Sequence, residues 1–131
     1  MRVRDAMSTL VLTIGPEHSL REAARQMSAR KVGAVAVLDP DSHGIGILTE
    51  RDLLHSIGAG QDPDTERAGA HLTSDLVFAD PEWTLDRAAE AMVRGGFRHL
   101  IVLDGGEAVG IVSVRDIVRV WTGAKAGVPT G

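Results

Sequence analysis

The chain has 131 residues, of which 44% are hydrophobic and 24% charged, with a formal net charge of −4 and no cysteine. This composition is typical of a globular protein of one domain, long enough to bury a core without disulfides or metals. The absence of cysteine excludes a disulfide framework, thiolate metal ligands and a cysteine nucleophile. An acidic chain is also a poor partner for nucleic acid or for an anionic membrane surface.

Neither the N-terminus nor the apolar segments suggest export or membrane insertion. No segment approaches the ~18 consecutive apolar residues needed to span a membrane. The first five residues, Met1 to Asp5, are charged and lead into no long apolar run, unlike a signal peptide. We therefore expect a cytoplasmic protein that binds neither membranes nor nucleic acid.

The first half of the chain is predicted to contain a strand, a helix, two strands and a helix. The elements are an extended stretch at Leu10–Ile14, a helix after Ser19, strands at Ala34–Leu38 and Ile45–Leu48, and a helix at Asp52–Ile57. Ser19 is a suitable helix cap, and Glu22 three residues later is predicted to complete a capping box. The two central strands are apolar runs too short for helices, which indicates buried strands.

The second half is predicted to repeat this order. Its elements are an extended stretch at Leu76–Ala79, a helix capped by Thr84, strands at Leu100–Leu103 and Val109–Val112, and a helix at Asp116–Trp121. Here Arg87 occupies the third helical position, where it cannot complete a capping box.

The residues themselves also repeat. Both first helices carry Leu-x-x-Ala-Ala-x-x-Met, starting at Leu20 and, 65 residues later, at Leu85. Farther on, Gly46–Asp52 matches Gly110–Asp116 at an offset of 64, so the second copy has lost one residue at its hairpin turn. The repeats cover residues 3–57 and 68–122. A polar connector is predicted at 58–67 and a flexible tail at 123–131.

This pattern resembles the CBS family, named after cystathionine β-synthase. The resemblance depends on the β-α-β-β-α order, on the repeat near 65 residues, and on Gly-hydrophobic-hydrophobic-Ser/Thr-x-x-Asp. That element reads Gly-Ile-Leu-Thr-Glu-Arg-Asp at 46–52 and Gly-Ile-Val-Ser-Val-Arg-Asp at 110–116. The fold expected is α/β (α+β), with tandem motifs packed as one pseudo-twofold pair. The chain also resembles small stand-alone bacterial CBS-pair proteins of the hypoxia or stress-response type.

The resemblance implies a regulatory protein without catalytic residues that binds AMP, ADP, ATP or S-adenosylmethionine in two clefts. In the family, the motif aspartate holds the ribose hydroxyls with help from the preceding serine or threonine. Basic residues at the start of the middle strand hold phosphate, and apolar residues of both motifs sandwich the adenine. A carboxylate suits the ribose role, because it can accept hydrogen bonds from two vicinal hydroxyls.

Residue by residue, the two clefts are unequal. The residues expected in the main cleft are Asp116 and Ser113 for ribose, Arg98, His99 and Arg115 for phosphate, and Ile111, Val32 and Val11 around the base. Those expected in the second, weaker cleft are Asp52, Thr49, Ile47 and Phe97, with Arg51 or Lys31 as the basic residue. The counterparts of Arg98 and His99 are the uncharged Gly33 and Ala34. A phosphorylated ligand is therefore expected to prefer the Asp116 cleft.

Alternative interpretations remain open for these residues. Thr49-x-x-Asp52 and Ser113-x-x-Asp116 also fit helix caps followed by an acidic residue in the first turn, which stabilise a helix without any ligand. The alternative function is a ligand-free scaffold that forms a homodimer through its helices and presents a surface to a regulated protein. Its interface would include Leu53, Leu54, Ile117, Val118 and Trp121. The histidines show no metal-ligand spacing, and no residue pattern indicates an enzyme.

Overall fold

The computed structural model describes residues 1–9, 12–42, 44–73 and 78–126, with side chains described as far as residue 123. The helices are α1 (Val3–Ala6), α2 (Leu20–Arg30), α3 (Glu50–Gly58), α4 (Leu85–Gly95) and α5 (Val114–Ala126). The strands are β1 (Ser8–Thr9), β2 (Thr13–Ile14), β3 (Ala34–Leu38), β4 (Ile45–Thr49), β5 (Phe78–Ala79), β6 (His99–Asp104) and β7 (Glu107–Ser113). The predicted β-α-β-β-α order is thus confirmed in both repeats.

The chain divides into two compact units. The first-repeat unit is Val11–Leu76, and the second-repeat unit combines Met1–Leu10 with Val77–Gly131. The N-terminal residues therefore pack with the second repeat, although they precede the first in sequence.

The first-repeat unit is built on the sheet β2-β3-β4, in which β2 lies parallel to β3 and β3 antiparallel to β4. The apolar face predicted for α2 is confirmed, because Leu20, Ala23 and Met27 are buried. They form a core with β2, β3, β4 and Ala68. Strand β3 is buried along nearly its whole length, as expected for an apolar run between other elements.

The second-repeat unit uses the sheet order β1-β7-β6-β5. Helix α4, the first helix of the second repeat, buries the equivalent residues Leu85, Ala88 and Met92. The β6–β7 hairpin turns at Gly105 and Gly106, which have φ values of 60° and 87° that favour glycine. A register shift follows Val102 in this hairpin, close to the position where the second repeat has lost a residue.

In each unit, the segment that precedes one repeat in the sequence forms backbone hydrogen bonds with the turn before α2 or α4. We call it the leading segment. In the second-repeat unit, Val3 N donates to Trp83 O at 2.8 Å and Arg4 N to Pro81 O at 3.0 Å. In the first-repeat unit, the equivalent residues form both bonds at 2.8 Å, from Ala68 N to His18 O and from Gly69 N to Pro16 O. The donors lie 65 positions later than in the second-repeat unit, and the acceptors lie 65 positions earlier. The segment that leads into the second repeat therefore completes the first unit, and the N-terminal segment completes the second.

The polar connector is also tied to the first-repeat unit. Leu20 N donates to Glu66 O and Arg21 N to Pro63 O, both at 3.0 Å, so connector carbonyls bind free N–H groups at the start of α2. The Arg21 guanidinium pairs with the Asp64 carboxylate. The hydrogen bond from Arg21 lowers the pKa of Asp64 below its usual range. The composition of residues 58–67 predicts a polar connector, but it does not predict these hydrogen bonds to α2.

The caps of α2 and α4 agree with the sequence predictions, whereas the starts of α3 and α5 do not. Ser19 and Thr84 cap α2 and α4 as predicted, accepting from Glu22 N at 3.1 Å and Arg87 N at 3.2 Å. The expected capping box at Ser19 is not formed, since the Glu22 carboxylate lies 3.7 Å from the His18 ring instead. The last helices of the two repeats, α3 and α5, which we call the closing helices, begin two residues earlier than predicted. Helix α5 continues to Ala126, into the predicted tail, whereas residues 127–131 lie outside the described part.

Candidate functional site

The candidate site in the first repeat lies where β4 passes into α3. Thr49 is the N-cap of α3, and Asp52 is its third helical residue. Thr49 N donates to Asp52 Oδ2 at 2.8 Å, and Asp52 N donates to Thr49 Oγ1 at 3.3 Å. The two residues therefore satisfy each other's backbone N–H groups in a capping box.

The candidate site in the second repeat has the same backbone geometry. Ser113 N donates to Asp116 Oδ2 at 2.8 Å, and Asp116 N donates to Ser113 Oγ at 3.0 Å. The alternative interpretation of Ser/Thr-x-x-Asp as a helix cap is thus correct as geometry. It does not exclude ligand binding, because one carboxylate offers about four acceptor positions and the cap uses one.

The two aspartates differ in their remaining partners. Asp52 Oδ2 also accepts from the hydroxyls of Thr49 and Thr73, at 2.9 and 2.8 Å. Asp116 Oδ1 instead accepts from Arg119 Nη2 at 3.2 Å. The Arg119 side chain is 61% exposed and also donates to Ala6 O at 3.4 Å.

Sequence reasoning missed both of these additional partners. Arg119 lies three residues after Asp116 on α5, a helical spacing that could have predicted the ion pair. Thr73 lies 21 residues after Asp52, beyond any local spacing rule. Only the packing of the segment after the connector shows that contact.

In the second-repeat unit, the structure brings most of the predicted main-cleft residues to one end of the sheet. His99 pairs with Ser113 across β6 and β7, and Val114 N donates to Arg98 O at 2.9 Å. Arg98 is therefore anchored beside the start of α5, close in the fold to Asp116. A residue expected to hold phosphate and residues expected to hold ribose thus flank the same strand–helix junction.

The other predicted main-cleft residues have varied positions. Ile111 lies two residues before Ser113 on β7 and is partly buried, while Arg115 is exposed in the first turn of α5. Val32 is 42% exposed and belongs to the first-repeat unit. Val11 lies outside the described residues. The contributions of Val32 and Val11 to a cleft around Asp116 stay predictions.

The first-repeat unit brings fewer of its predicted residues together. Glu50 N donates to Gly33 O at 3.0 Å, so the uncharged Gly33 occupies the place that Arg98 has in the other unit. Arg51 and Lys31 are exposed. Ile47 is only 1% exposed, which does not favour its predicted contact with a base.

Phe97 was assigned to the same cleft as Asp52, but the two residues lie in different units. Its ring packs against the core of the second-repeat unit. Its role beside a base in the Asp52 cleft stays a prediction.

Residues 1–9, 12–42, 44–73 and 78–126 contain no group of three or more histidine, cysteine, aspartate or glutamate side chains that could hold a metal ion. In the same ranges, no helix has the length and apolar character needed to cross a membrane.

Comparison with protein families identifies the repeats. The model of the CBS domain matches residues 3–59 and again residues 68–123, which together make up most of the chain. The chain belongs to the CBS domain family. The suspected family and the expected mixed α/β fold are therefore both confirmed.

Curated relatives of this CBS protein are similar over most of its length. The CBS domain-containing protein YhcV of Bacillus subtilis is 33% identical over 118 residues, covering 88% of this chain and 81% of the relative. Hypoxic response protein 1 of Mycobacterium tuberculosis is 30% identical over 117 residues, covering 88% of this chain and 82% of the relative. Stand-alone CBS-domain proteins are generally regulatory.

Solved structures share the fold of this CBS protein. A CBS-domain protein from Agrobacterium tumefaciens is 36% identical with a TM-score of 0.80, covering 90% of this chain and 91% of that one. A hexameric CBS-CP12 protein from bloom-forming cyanobacteria is 25% identical with a TM-score of 0.87, covering 95% and 73%. The CBS pair of protein MJ0100, solved with 5′-methylthioadenosine and S-adenosylmethionine, is 22% identical with a TM-score of 0.84, covering 95% and 98%.

Proposed function

We propose that this protein is a regulatory module that binds one adenosine ligand, such as AMP, ADP, ATP or S-adenosylmethionine, at the Asp116 site of its second repeat. The observation that carries the proposal is the arrangement at the start of α5. There Asp116 and Ser113 form the cap, while Arg98 is anchored to the same junction through Val114. CBS pairs generally bind adenosine ligands. The MJ0100 pair, at 22% identity, supports the fold alone.

The Asp116 carboxylate suits a ribose diol because its present partners are few and exchangeable. Within the described residues, Oδ2 accepts one hydrogen bond, from Ser113 N, and Oδ1 accepts one, from Arg119 Nη2. The Arg119 pair is exposed on the arginine side, and such pairs contribute at most about 1 kcal/mol. A ligand that displaces this contact therefore loses little free energy. The released Arg119 guanidinium, together with Arg98 and Arg115, could then bind phosphate groups of the ligand.

A ligand panel tests the proposal directly. We expect AMP, ADP, ATP or S-adenosylmethionine to raise the thermal midpoint of the full chain, because a ligand that binds only the folded state stabilises it. At a ligand concentration 100 times the Kd, that stabilisation is about 2.7 kcal/mol. Calorimetry of the same samples gives the Kd and the stoichiometry, and NADH serves as a bulkier adenosine ligand. No shift and no heat with any of the five compounds would remove the adenosine-ligand proposal.

A second candidate function, a ligand-free scaffold that self-associates, is favoured by exposed apolar side chains on the closing helices. On α3, Leu54 is 69% and Ile57 is 59% exposed; on α5, Val118 is 52% and Trp121 is 58% exposed. These are equivalent positions in the two repeats, so both helices present the same apolar face. Leu53 and Ile117, also predicted for the interface, instead pack against the cores of their own units. The hexameric CBS-CP12 protein shows that a chain of this fold can assemble.

We expect the full chain to form a homodimer that buries these faces, since exposed apolar side chains at matching positions favour association. Light scattering should give twice the 13.9 kDa mass of one chain. The double variant Leu54→Asp with Val118→Asp should elute as a monomer, because both charges would have to be buried unpaired. Ala29→Asp, at an exposed position on α2, is the control and should leave the mass unchanged. A wild-type monomer at high concentration would contradict the dimer.

A further inference from the structure

Two arginines beside Asp116 have no partner within the described part of the chain. Arg98 and Arg115 are exposed, and neither side chain forms a hydrogen bond, an ion pair or a ring contact with a described residue. The other arginines of the second-repeat unit each contact a carboxylate, a carbonyl or an aromatic ring: Arg2, Arg4, Arg87, Arg94 and Arg119. The unpaired arginines of this unit are therefore both found at the strand–helix junction of the candidate site.

Arg115 and Arg119 are also neighbours on the surface of α5. They are four residues apart, and like charges at this spacing destabilise a helix slightly. The ion pair of Arg119 with Asp116 offsets little of this repulsion, because 61% of the arginine side chain is exposed to solvent. An anion bound between the two guanidiniums would remove the repulsion and accept charge-assisted hydrogen bonds from both.

These arginines give the junction a positive charge within an acidic chain. Three arginines against one aspartate leave two positive charges there, whereas the whole chain has a formal net charge of −4. The acidic residues of the β6–β7 hairpin pair in register at its turn, at the other end of β6. Five residues of strand correspond to about 16 Å, which exceeds the Debye length of about 8 Å at physiological ionic strength. The arginines therefore dominate the charge that a ligand meets at this junction.

The equivalent junction of the first repeat has the opposite charge. At the three corresponding positions it has Gly33, Arg51 and His55, so that only Arg51 is positive with neutral histidine. Glu50 adds a second carboxylate beside Asp52 at the start of α3. One arginine against two carboxylates leaves one negative charge, so a negatively charged ligand is favoured at the second repeat.

We infer that the Asp116 site selects its ligand by charge, with Arg115 and Arg119 as the specificity-determining residues. It binds anionic adenine nucleotides, more tightly with each added phosphate, and discriminates against S-adenosylmethionine. This selection rests on the proposed adenosine-ligand function and narrows it to one chemical class. S-adenosylmethionine carries a sulfonium and an ammonium against a single carboxylate, so its net charge is positive and the arginines repel it.

Calorimetry of the wild-type chain with adenosine, AMP, ADP and ATP tests the selection. At low ionic strength and without Mg²⁺, ATP should bind at least about 100-fold more tightly than adenosine, because each hydrogen bond between charged groups changes Kd by about tenfold or more. Raising the salt concentration to about 0.5 M should remove most of this difference, since salt screens exposed charges. The Kd of uncharged adenosine should change by no more than about twofold over the same range.

A second pair of ligands isolates the effect of a positive charge. S-adenosylmethionine and S-adenosylhomocysteine share the adenosine and the amino-acid group, but only the first has the sulfonium charge. S-adenosylmethionine should bind about threefold more weakly, as expected for two like charges about 6 Å apart in water.

The double variant Arg115→Gln with Arg119→Gln tests the residues assigned to the selection. Its ratio of the Kd of adenosine to that of ATP should fall by about tenfold or more, because both charges are lost. Lysine at both positions keeps the charges and should restore the ratio to within about threefold, which a merely structural role would not explain. The control is Arg4→Gln with Arg94→Gln, which removes two charges from exposed ion pairs of the same unit and should leave the ratio unchanged.

Failure of the charge selection and failure of the adenosine-ligand function give different results. Equal Kd values for adenosine and ATP in the wild type, or tighter binding of S-adenosylmethionine than of S-adenosylhomocysteine, would overturn the selection while leaving the adenosine site in place. A wild-type ratio in the double glutamine variant would overturn the role of Arg115 and Arg119. No binding of any of these ligands would overturn both the selection and the proposed function.

Discussion

Replacing Asp116 by asparagine is expected to weaken the binding of adenosine and of AMP by about 100-fold. The proposed site uses the carboxylate to accept from both ribose hydroxyls. Hydrogen bonds to a charged acceptor contribute about 1.5–3 kcal/mol each, and 1.4 kcal/mol corresponds to a factor of ten in Kd. Asparagine keeps the size of the side chain and one acceptor oxygen, so it can still accept from Ser113 N at the start of α5. Isothermal titration calorimetry of both proteins measures the ratio of the two Kd values.

The matched variant is Asp52→Asn, which makes the same change in the other repeat. It should leave the Kd of the single adenosine site within about twofold, because the proposed site surrounds Asp116, and Asp52 belongs to the other unit. Its effect should appear in stability instead, because Asp52 stabilises its own unit through three hydrogen bonds. Equal losses of affinity in the two variants, or unchanged binding by Asp116→Asn, would contradict the assignment of the ribose site to the second repeat.

Val3→Asp is expected to lower the free energy of unfolding by about 4 kcal/mol or more, because it places an unpaired charge inside a core. Val3 is 0% exposed although it is only the third residue of the chain. It packs with the core of the second-repeat unit, and its N–H bonds Trp83 O. A loss of this size is a large part of the 5–15 kcal/mol that stabilises a typical domain. Urea unfolding followed by circular dichroism measures the change.

Val93→Asp is the control for this substitution. It makes the same chemical change in the same unit, but Val93 lies on α4 with 82% of its side chain exposed. Its unfolding free energy should stay within about 0.5 kcal/mol of wild type, as is usual for surface positions. If Val3→Asp were equally harmless, the N-terminal segment would not be part of the folded core.

Much of this fold could be predicted because its signals are local. The Leu-x-x-Ala-Ala-x-x-Met spacing places apolar side chains on one helix face, and the structure buries the leucine, the first alanine and the methionine in both α2 and α4. The caps at Ser19 and Thr84 were also predictable, because a hydroxyl before a helix has a nearby N–H to accept from. The sequence predicts the starts of α3 and α5 two residues too late, because it places Asp52 and Asp116 first in their helices, whereas each is the third helical residue and completes a capping box.

The positions of several candidate site residues could be predicted from the sequence, whereas their contacts could not. The resemblance to the CBS family implied the roles of Ser113, Asp116, Arg98 and His99, and the pairing of β6 with β7 brings these residues to one end of a sheet. Ile47, chosen by the same comparison, is buried. Equivalent positions in two repeats share a backbone environment, but their exposure depends on packing that the sequence pattern does not describe.

By itself, the sequence determined the repeat, the order of elements, the helix caps and the inequality of charge between the Arg98-His99 and Gly33-Ala34 positions. Each of these follows from residues that are neighbours in the chain or that recur at a fixed spacing. Only the tertiary structure decided that Val3 belongs to the second-repeat core and that Thr73 occupies the carboxylate of Asp52. Both contacts join segments that are distant in sequence, and no local periodicity relates them. Such contacts form because a packed leading segment removes its apolar side chains from water and gives its backbone N–H groups hydrogen-bond partners. The surfaces and acceptors that it needs come together only in the folded chain.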